Sequence, residues 1–260
     1  MKPSRKILVT ILIFLILINI ILVLYNSRNY FKETLNKGYD FSKTKIKFLA
    51  PETKSLPFKN GEEFVYRIDM GFIPLGRARL SFGGKIKIKG QDLYLIKFKT
   101  NTVNFKDTET IYAQPDTFLP VRIERDINMW GVSSKIVEEY NQKEKSVKIT
   151  KTELGKTNVQ TINSDSELQN VICMIYYYRL DNNIELGKTV NINLPLKKIA
   201  VEAKEIRKVK LPKGKFEAFI LESVPGGYDL WFDTGKNRIP LKITGAITFG
   251  NAALVLLDFN

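Results

Sequence analysis

The carboxylates are the side chains best suited to catalysis in this sequence, because the chain has no histidine and a single cysteine, Cys173. Ser-His-Asp and Cys-His sites are therefore impossible, and one cysteine is too few for the usual zinc site. Adjacent acids occur at Glu62–Glu63 and at Glu138–Glu139, in predicted strands. Adjacent strand residues point to opposite faces, so neither pair converges on one substrate. We predict no catalytic site, no metal and no cofactor, although carboxylates from distant strands remain an alternative.

Large apolar side chains offer a different kind of site. A curved sheet closed by an apolar helix encloses space that suits a lipid-like ligand. The residues that we expect to line this space are Tyr66, Phe98, Ile175, Tyr176 and Trp231. Trp130, Tyr177 and Phe249 are further aromatic candidates for such a pocket. The alternative is that these side chains form ordinary core, and Cys173 is expected to be a buried hydrophobe among them.

A two-residue period of apolar side chains runs through most of the chain after Gly61. It is clear at Phe64, Tyr66 and Ile68, and it predicts strands with one covered and one wet face. The predicted strands are 62–70, 77–82, 85–89, 94–98, 108–113, 119–125, 133–140, 146–152, 157–162, 190–194, 198–205, 207–210, 215–223, 228–233, 239–245 and 252–258. Gly83–Gly84 is either a turn or a bulge between two of them. The short connections predict a mainly β fold, a curved antiparallel sheet or open half-barrel.

One predicted helix, near 166–180, interrupts the strands. Polar residues at 163–166 are candidate N-caps, and Glu167 suits a first turn. Leu168, Ile172 and Ile175 mark one face at helical spacing, and the other face is largely apolar too. A helix that is apolar nearly all round is buried on most sides, so we expect it to plug or cap the sheet.

The N-terminal residues 1–25 read as a membrane segment. Three basic residues precede Ile7–Tyr25, an uncharged run of 19 residues. As a helix this run is about 28 Å long, close to the hydrocarbon thickness of a bilayer. No small-residue cleavage pattern follows it, so we predict an uncleaved signal anchor rather than a signal peptide. Residues 26–58 are expected to be a basic spacer, and residues 59–260 a β-rich domain on the extracytoplasmic, periplasmic side.

The net charge of +14 is concentrated at the membrane end, because the first 58 residues carry half of it. Anionic lipid headgroups are therefore the nearer polyanion for a tethered chain, and no nucleic-acid-binding motif is present. The composition, 44% hydrophobic and 26% charged, is that of a globular protein. The predicted partners are the membrane, a lipid or other amphiphile, and an envelope protein.

Several short stretches resemble a bacterial family of exported proteins that is known only as a domain of unknown function. The resemblance is carried by Gly61–Ile68 and Leu75–Leu80, then Leu119–Arg122, Tyr176–Leu180, and Leu230–Asp233 with Arg238–Leu241. It spans roughly residues 59–260. It implies a curved antiparallel sheet or half-barrel in the cell envelope, reminiscent of lipoprotein-carrier proteins, and it brings no catalytic residues.

Two functions follow as hypotheses. The first is a non-enzymatic envelope protein that binds an apolar ligand between sheet and helix. The second is a protein-interaction module in envelope assembly, which would have a filled core and an exposed apolar patch or sheet edge.

Overall fold

A computed structural model describes residues 56–88, 90–180, 184–245 and 252–260. The predicted anchor at Ile7–Tyr25 and nearly all of the predicted spacer lie outside the described residues, as does Phe249. Within the described residues, no helix is both long enough and apolar enough to cross a bilayer.

The described residues form fourteen strands and one helix, α1. The strands are β1 Glu63–Met70, β2 Ile73–Ile88, β3 Gln91–Thr102, β4 Phe105–Ala113, β5 Pro120–Met129, β6 Val132–Asn141, β7 Ser146–Glu153, β8 Lys156–Asn163, β9 Thr189–Leu194, β10 Lys197–Leu211, β11 Gly214–Val224, β12 Asp229–Asp233, β13 Pro240–Thr244 and β14 Ala253–Phe259. The helix α1, Val171–Arg179, stands between β8 and β9. The mainly β class and the single helix are confirmed.

All fourteen strands belong to one sheet, in the order β8-β7-β6-β5-β4-β3-β2-β1-β14-β13-β12-β11-β10-β9. Every neighbouring pair is antiparallel, and β1 pairs with β14 at the centre. The chain therefore runs outward from β1 to β8, passes through α1 to the far edge at β9, and returns strand by strand. This is the predicted meander, in two arms.

The sheet bends so that its two edges approach each other. The segment Ser164–Asn170, which links β8 to α1, runs beside β9: the Gln169 backbone N–H donates to the Asn193 carbonyl at 2.7 Å. The Gln169 side chain in turn accepts from the Asn193 backbone N–H at 3.1 Å. The segment thus covers backbone groups of β9 that would otherwise form a bare edge.

In two places, a pair of predicted strands forms one long strand in the structure. The predicted strands 77–82 and 85–89 are joined in β2, where Gly83–Gly84 forms a bulge: the register with β3 shifts between Phe82 and Gly84, and Gly84 has φ +84°. The predicted strands 198–205 and 207–210 are joined in β10 by a shift between Ala203 and Glu205. A bulge bends a strand without ending it, so sequence spacing alone exaggerates such breaks.

The predicted start of the helix at 166 is wrong, because α1 begins at Val171. Asn170 is the N-cap, and its side-chain oxygen accepts from the backbone N–H groups of Ile172 and Cys173. Before it, the Gln169 backbone N–H donates to the Asn193 carbonyl of β9. The backbone N–H and carbonyl of Leu168 bond to the Gln142 side chain instead of forming a helical turn. The predicted burial is confirmed: seven of the nine residues of α1 are buried.

The core lies between the inner face of the sheet and α1. In β1 the buried positions are Phe64, Tyr66 and Ile68, as the two-residue period predicts. In β14, Leu254 and Leu256 are buried on the same face. Cys173 is buried in α1, as expected, and belongs to the same core.

Candidate functional site

Four polar side chains are gathered on the inner face of the sheet, among mostly apolar side chains. They are Thr100 of β3, Asp107 and Glu109 of β4, and Arg125 of β5, and together they are called the polar cluster. The antiparallel register brings them together, because Thr100 lies opposite Asp107 and Glu109 lies opposite Arg125. Directly opposed residues share a face. Thr100, Asp107 and Glu109 are all buried.

The Arg125 guanidinium ties the polar cluster together. Its Nη2 donates to Asp107 Oδ2, and its Nε lies 3.9 Å from Glu109 Oε2. The helix reaches the same place from above: Asn170 Nδ2 donates to Glu109 Oε1 at 3.1 Å. The cap of α1 is therefore fixed to the polar cluster.

Three atoms of the polar cluster have no hydrogen-bond partner. They are Thr100 Oγ1, Asp107 Oδ1 and Arg125 Nε. Leaving a buried polar atom unpaired costs about 1–3 kcal/mol, so each such atom calls for an explanation. The three atoms offer a hydroxyl, an acceptor and a donor at one place. A group that both donates and accepts hydrogen bonds would satisfy them.

Glu109 has the most altered acidity of the polar cluster. Burial raises the pKa of its carboxyl from 4.5 to about 7. Arg125 opposes this rise, and the negative charges of Asp107 and Glu138 add to it. Glu109 is thus largely protonated in mildly acidic solution, and its carboxyl can then donate a hydrogen bond.

Because the pKa of Glu109 is raised, we expect the free energy of unfolding to depend on pH. The folded state holds a proton between pH 4.5 and about 7 that the unfolded chain has released, so the free energy of unfolding falls as pH rises through this window. Glu109→Gln is expected to remove that slope and to stabilise the protein above pH 7 by at most about 3 kcal/mol. Urea unfolding at several pH values measures this.

The matched control for Glu109→Gln is Glu124→Gln. Glu124 lies opposite Thr110 on the other face and pairs with Arg122, so the pH profile should keep its slope. Equal pH profiles for wild type and Glu109→Gln would contradict the raised pKa.

Half-buried isoleucines surround the polar cluster. Ile136 of β6 lies opposite Arg125, and Ile127 of β5 lies opposite Asp107. Ile149 of β7 lies opposite Glu138, one strand further along the sheet. All three are only partly buried, so this part of the inner face presents apolar side chains beside buried polar groups.

Four of the five predicted lining residues lie together. Tyr66, Phe98, Ile175 and Tyr176 are all at most 1% exposed and belong to one core between the sheet and α1. Tyr66 donates its hydroxyl to the Pro240 carbonyl at 2.9 Å. Phe98 lies directly opposite Glu109, so this group of side chains reaches the polar cluster.

Trp231 is not brought to the other four. In β12 its neighbours Leu230 and Phe232 face the core, and the alternation places the Trp231 ring on the opposite face. There the Lys242 ammonium lies 4.4 Å from the ring centroid. Trp130 does not pack with these side chains either, because it is 72% exposed at the turn between β5 and β6.

The acid pairs are divided between two faces, as the strand geometry requires. Glu62 is buried against Arg179, whereas Glu63 pairs with Arg79 at the surface. Glu138 accepts a hydrogen bond from the Tyr140 hydroxyl, whereas Glu139 pairs with Arg122. In the part of the chain that the structure describes, no group of three or more acids or cysteines is arranged to hold a metal ion.

A concave feature lies at the seam where the segment Ser164–Asn170 runs beside β9. It is an open cleft of about 530 Å³, lined mainly by residues 163–165 and 193–198. Asn193 Nδ2 donates to the Ser166 carbonyl at 3.2 Å, and Lys198 pairs with Asp165 across it. Its polar groups therefore largely satisfy one another, in contrast to the polar cluster.

Sequence reasoning missed the polar cluster, although a signal was present. Asp107 and Glu109 share the two-residue period of Phe105, Ile111 and Ala113, which are buried. Acids at core positions of a strand are rare, and they stay buried when they are paired or functional. The period alone would therefore have placed both carboxylates on the inner face.

These features define a class of β-rich protein, in which one bent antiparallel sheet encloses a single apolar helix. The chain belongs to the family described as "Protein of unknown function (DUF3108)", whose model matches residues 65–257. This confirms the resemblance to an uncharacterised family of exported, β-rich proteins. No curated protein matches the chain.

Three solved structures that resemble this chain are distant from it in sequence. A β-barrel-like protein of the domain of unknown function DUF1849 from Brucella abortus has 10% identity and a TM-score of 0.45, and the match covers 77% of this chain and 97% of that one. A Bacteroides fragilis protein, described as exported with a YmcC-like fold, has 7% identity and a TM-score of 0.28, covering 79% and 98%. A Parabacteroides distasonis protein, described as a lipoprotein, has 10% identity and a TM-score of 0.29, covering 80% and 100%.

Proposed function

We propose that this protein is a non-enzymatic binding protein of the cell envelope, and that it holds an amphiphile on the inner face of its sheet. The polar end of the ligand lies at the polar cluster, and the apolar part lies along the half-buried isoleucines Ile127, Ile136 and Ile149. The observation that carries the proposal is the set of three unpaired buried atoms beside apolar side chains that are only partly covered.

The chemistry of the polar cluster favours an uncharged headgroup with hydroxyls. Asp107 and Arg125 neutralise each other, and Glu109 is close to neutral in mildly acidic solution. The nearby Glu138 carboxylate already accepts a hydrogen bond from the Tyr140 hydroxyl. A hydroxyl can donate to Asp107 Oδ1 and accept from Arg125 Nε, whereas a second full charge would go unpaired in a buried place. The ligand class is therefore a glycerol-like or sugar-like lipid.

The location follows the predicted anchor. The apolar run Ile7–Tyr25 holds the domain to a membrane as a single-pass anchor, with the domain on the extracytoplasmic side. Its neighbours there are lipids, which are the natural source of an amphiphile.

Binding of a fluorescent monoacylglycerol tests the proposal. The full chain, purified in mild detergent, is titrated with a monoacylglycerol that carries a pyrene at the end of its acyl chain, and with the corresponding pyrene fatty acid. The monoacylglycerol is expected to bind more tightly, and Asp107→Asn is expected to weaken its binding by about tenfold, the equivalent of one lost hydrogen bond.

Matched variants distinguish binding at the proposed site from nonspecific hydrophobic binding of the probe. Ile136→Ser should weaken binding, whereas Val137→Ser, its neighbour on the opposite face of β6, should not. Asp126→Asn is the exposed control for Asp107→Asn. Binding of the monoacylglycerol that none of the inner-face variants changes would overturn the proposal.

A protein-interaction module is the second candidate, and β8 supports it. Seven of its eight residues are exposed, and among the described strands only β7 pairs with it. Such an edge can accept a strand from a partner. A photo-crosslinking residue at Gln160 that captures one protein in cells, together with no binding of either probe, would favour this candidate over the first.

A further inference from the structure

Among the described residues, six of the twelve exposed large apolar side chains, including the five most exposed, lie at one end of the sheet. In an antiparallel meander every second turn lies at the same end. Four such turns join β1 to β2, β3 to β4, β5 to β6, and β7 to β8. Their exposed residues, here called the tip row, are Phe72, Ile73, Val103, Trp130, Val132 and Leu154.

All six residues of the tip row are exposed, and the least exposed is Val132 at 41%. Phe72 is fully exposed, Val103 is 90% exposed and Leu154 is 77% exposed. These four turns carry no charged side chain between their strands, whereas the turn between β6 and β7 at the other end carries Lys143, Glu144 and Lys145. Singly scattered exposed apolar residues are ordinary, but these four turns place theirs in a row along one end of the sheet.

At two tips, the backbone conformation is unfavourable for the type of residue that is present. Trp130 and Leu154 have φ values of +54° and +49°, and each precedes a glycine with positive φ. This is the two-residue hairpin turn in which Asn, Asp or Gly is strongly preferred at the first position. A tryptophan and a leucine there are unfavourable both for the turn and for hydration, so their place is not explained by folding.

The charges behind the tip row are arranged for an anionic surface. Arg77, Lys106 and Lys156 are exposed and have no ion-pair partner among the described residues. The acids near the same turns are neutralised by neighbours: Asp69 pairs with Arg67, and Glu153 pairs with Lys151. The free charges near the tips are thus cationic.

We propose that the tip row inserts into the interfacial layer of a lipid bilayer that contains anionic lipid. Neighbouring tips are separated by two strands, or about 10 Å, so they form separate fingers rather than one continuous patch. Separate apolar turns can each insert into a fluid bilayer interface, and tryptophan and phenylalanine are favoured at the depth of the lipid headgroups. The free cations behind them lie where lipid phosphates are found. This surface is distinct from the proposed amphiphile site, although it lies at the end of the sheet nearest Asp107.

Tryptophan fluorescence tests the insertion, because the chain has two tryptophans. Trp231→Phe leaves Trp130 alone, and Trp130→Phe leaves Trp231 alone as the matched control. Each full-length variant is reconstituted into vesicles of phosphatidylcholine and phosphatidylglycerol, with or without bromine on the acyl chains. Bromine is expected to remove most of the Trp130 emission and little of the Trp231 emission.

Further changes in the variant that retains Trp130 sharpen the test. Leu154→Asn is expected to reduce the quenching of Trp130 while raising the urea midpoint of unfolding, because asparagine fits that turn. Lys106→Glu with Lys156→Glu is expected to reduce quenching in vesicles with phosphatidylglycerol. Equal Trp130 emission in brominated and plain vesicles would overturn the proposal, even if the monoacylglycerol binds the inner face.

Discussion

Replacing Glu62 with alanine is expected to lower the free energy of unfolding by roughly 3–5 kcal/mol, because Arg179 would remain buried without its counter-charge. The Arg179 side chain is 0% exposed, and its two terminal nitrogens bind the two carboxylate oxygens of Glu62, one of them at 2.8 Å. Arg179 also lies over aromatic rings, with its guanidinium carbon 4.8 Å from the Phe58 centroid and 4.9 Å from that of Phe64. These contacts leave the guanidinium little access to water.

The pair joins parts of the chain that are far apart in sequence. Glu62 directly precedes β1, and Arg179 is the last residue of α1. Arg179 Nε also donates to the Asn237 carbonyl in the turn between β12 and β13, at 3.1 Å. The pair therefore fixes the end of the helix to the centre of the sheet, while Asn170 fixes its beginning to Glu109.

Urea unfolding of the full chain in mild detergent measures the effect, with Glu63→Ala as the control. Glu63 is the next residue, but its partner Arg79 is 55% exposed, so its loss should change stability by less than about 1 kcal/mol. The double variant Glu62→Leu with Arg179→Met should recover much of the loss, since an apolar pair replaces a buried ionic one. Similar losses for Glu62→Ala and Glu63→Ala would contradict the importance of burial.

The sequence predicted the sheet well because strand periodicity is a local property. Phe64, Tyr66 and Ile68 face inward for the reason that their spacing predicts, and short turns bring successive strands together. The start of α1 was not predictable in the same way. Gln169 has a partner in Asn193, 24 residues away, and that contact takes its backbone out of the helix.

The candidate site was harder to predict because it depends on register. Glu109 meets Arg125 only because β4 and β5 pair with no shift between Phe105 and Tyr112. The partner of Arg179 lies 117 residues away along the chain. A sequence shows which residue types are present and which face of a strand they occupy, but the cross-strand partner is fixed by the assembled sheet.

Tyr176→Ala is expected to lower the free energy of unfolding by roughly 3–5 kcal/mol, as for other large buried aromatic side chains. Tyr176 is 0% exposed. Its ring centroid lies 5.3 Å from that of Phe58, 5.5 Å from Phe82 and 5.8 Å from Phe118. Burial also raises the pKa of the Tyr176 hydroxyl, and that hydroxyl has no hydrogen-bond partner. Tyr176→Phe should therefore be neutral or stabilising, because it removes an unpaired polar group and keeps the ring.

Comparison with Tyr177→Ala shows whether the Tyr176 ring is part of the core or lines a binding space. Tyr177 is the next residue of α1 but is only partly buried, so its loss should cost less in urea unfolding. If Tyr176 is core, Tyr176→Ala destabilises the fold strongly, and Tyr176→Phe binds the pyrene monoacylglycerol as wild type does. If Tyr176→Ala instead unfolds at the wild-type urea concentration and binds the probe more weakly, the ring lines open space. A ring that packs against three others cannot be removed without loss of stability. A stable Tyr176→Ala variant that binds the probe weakly would therefore indicate that the ligand lies between sheet and helix rather than beside the polar cluster.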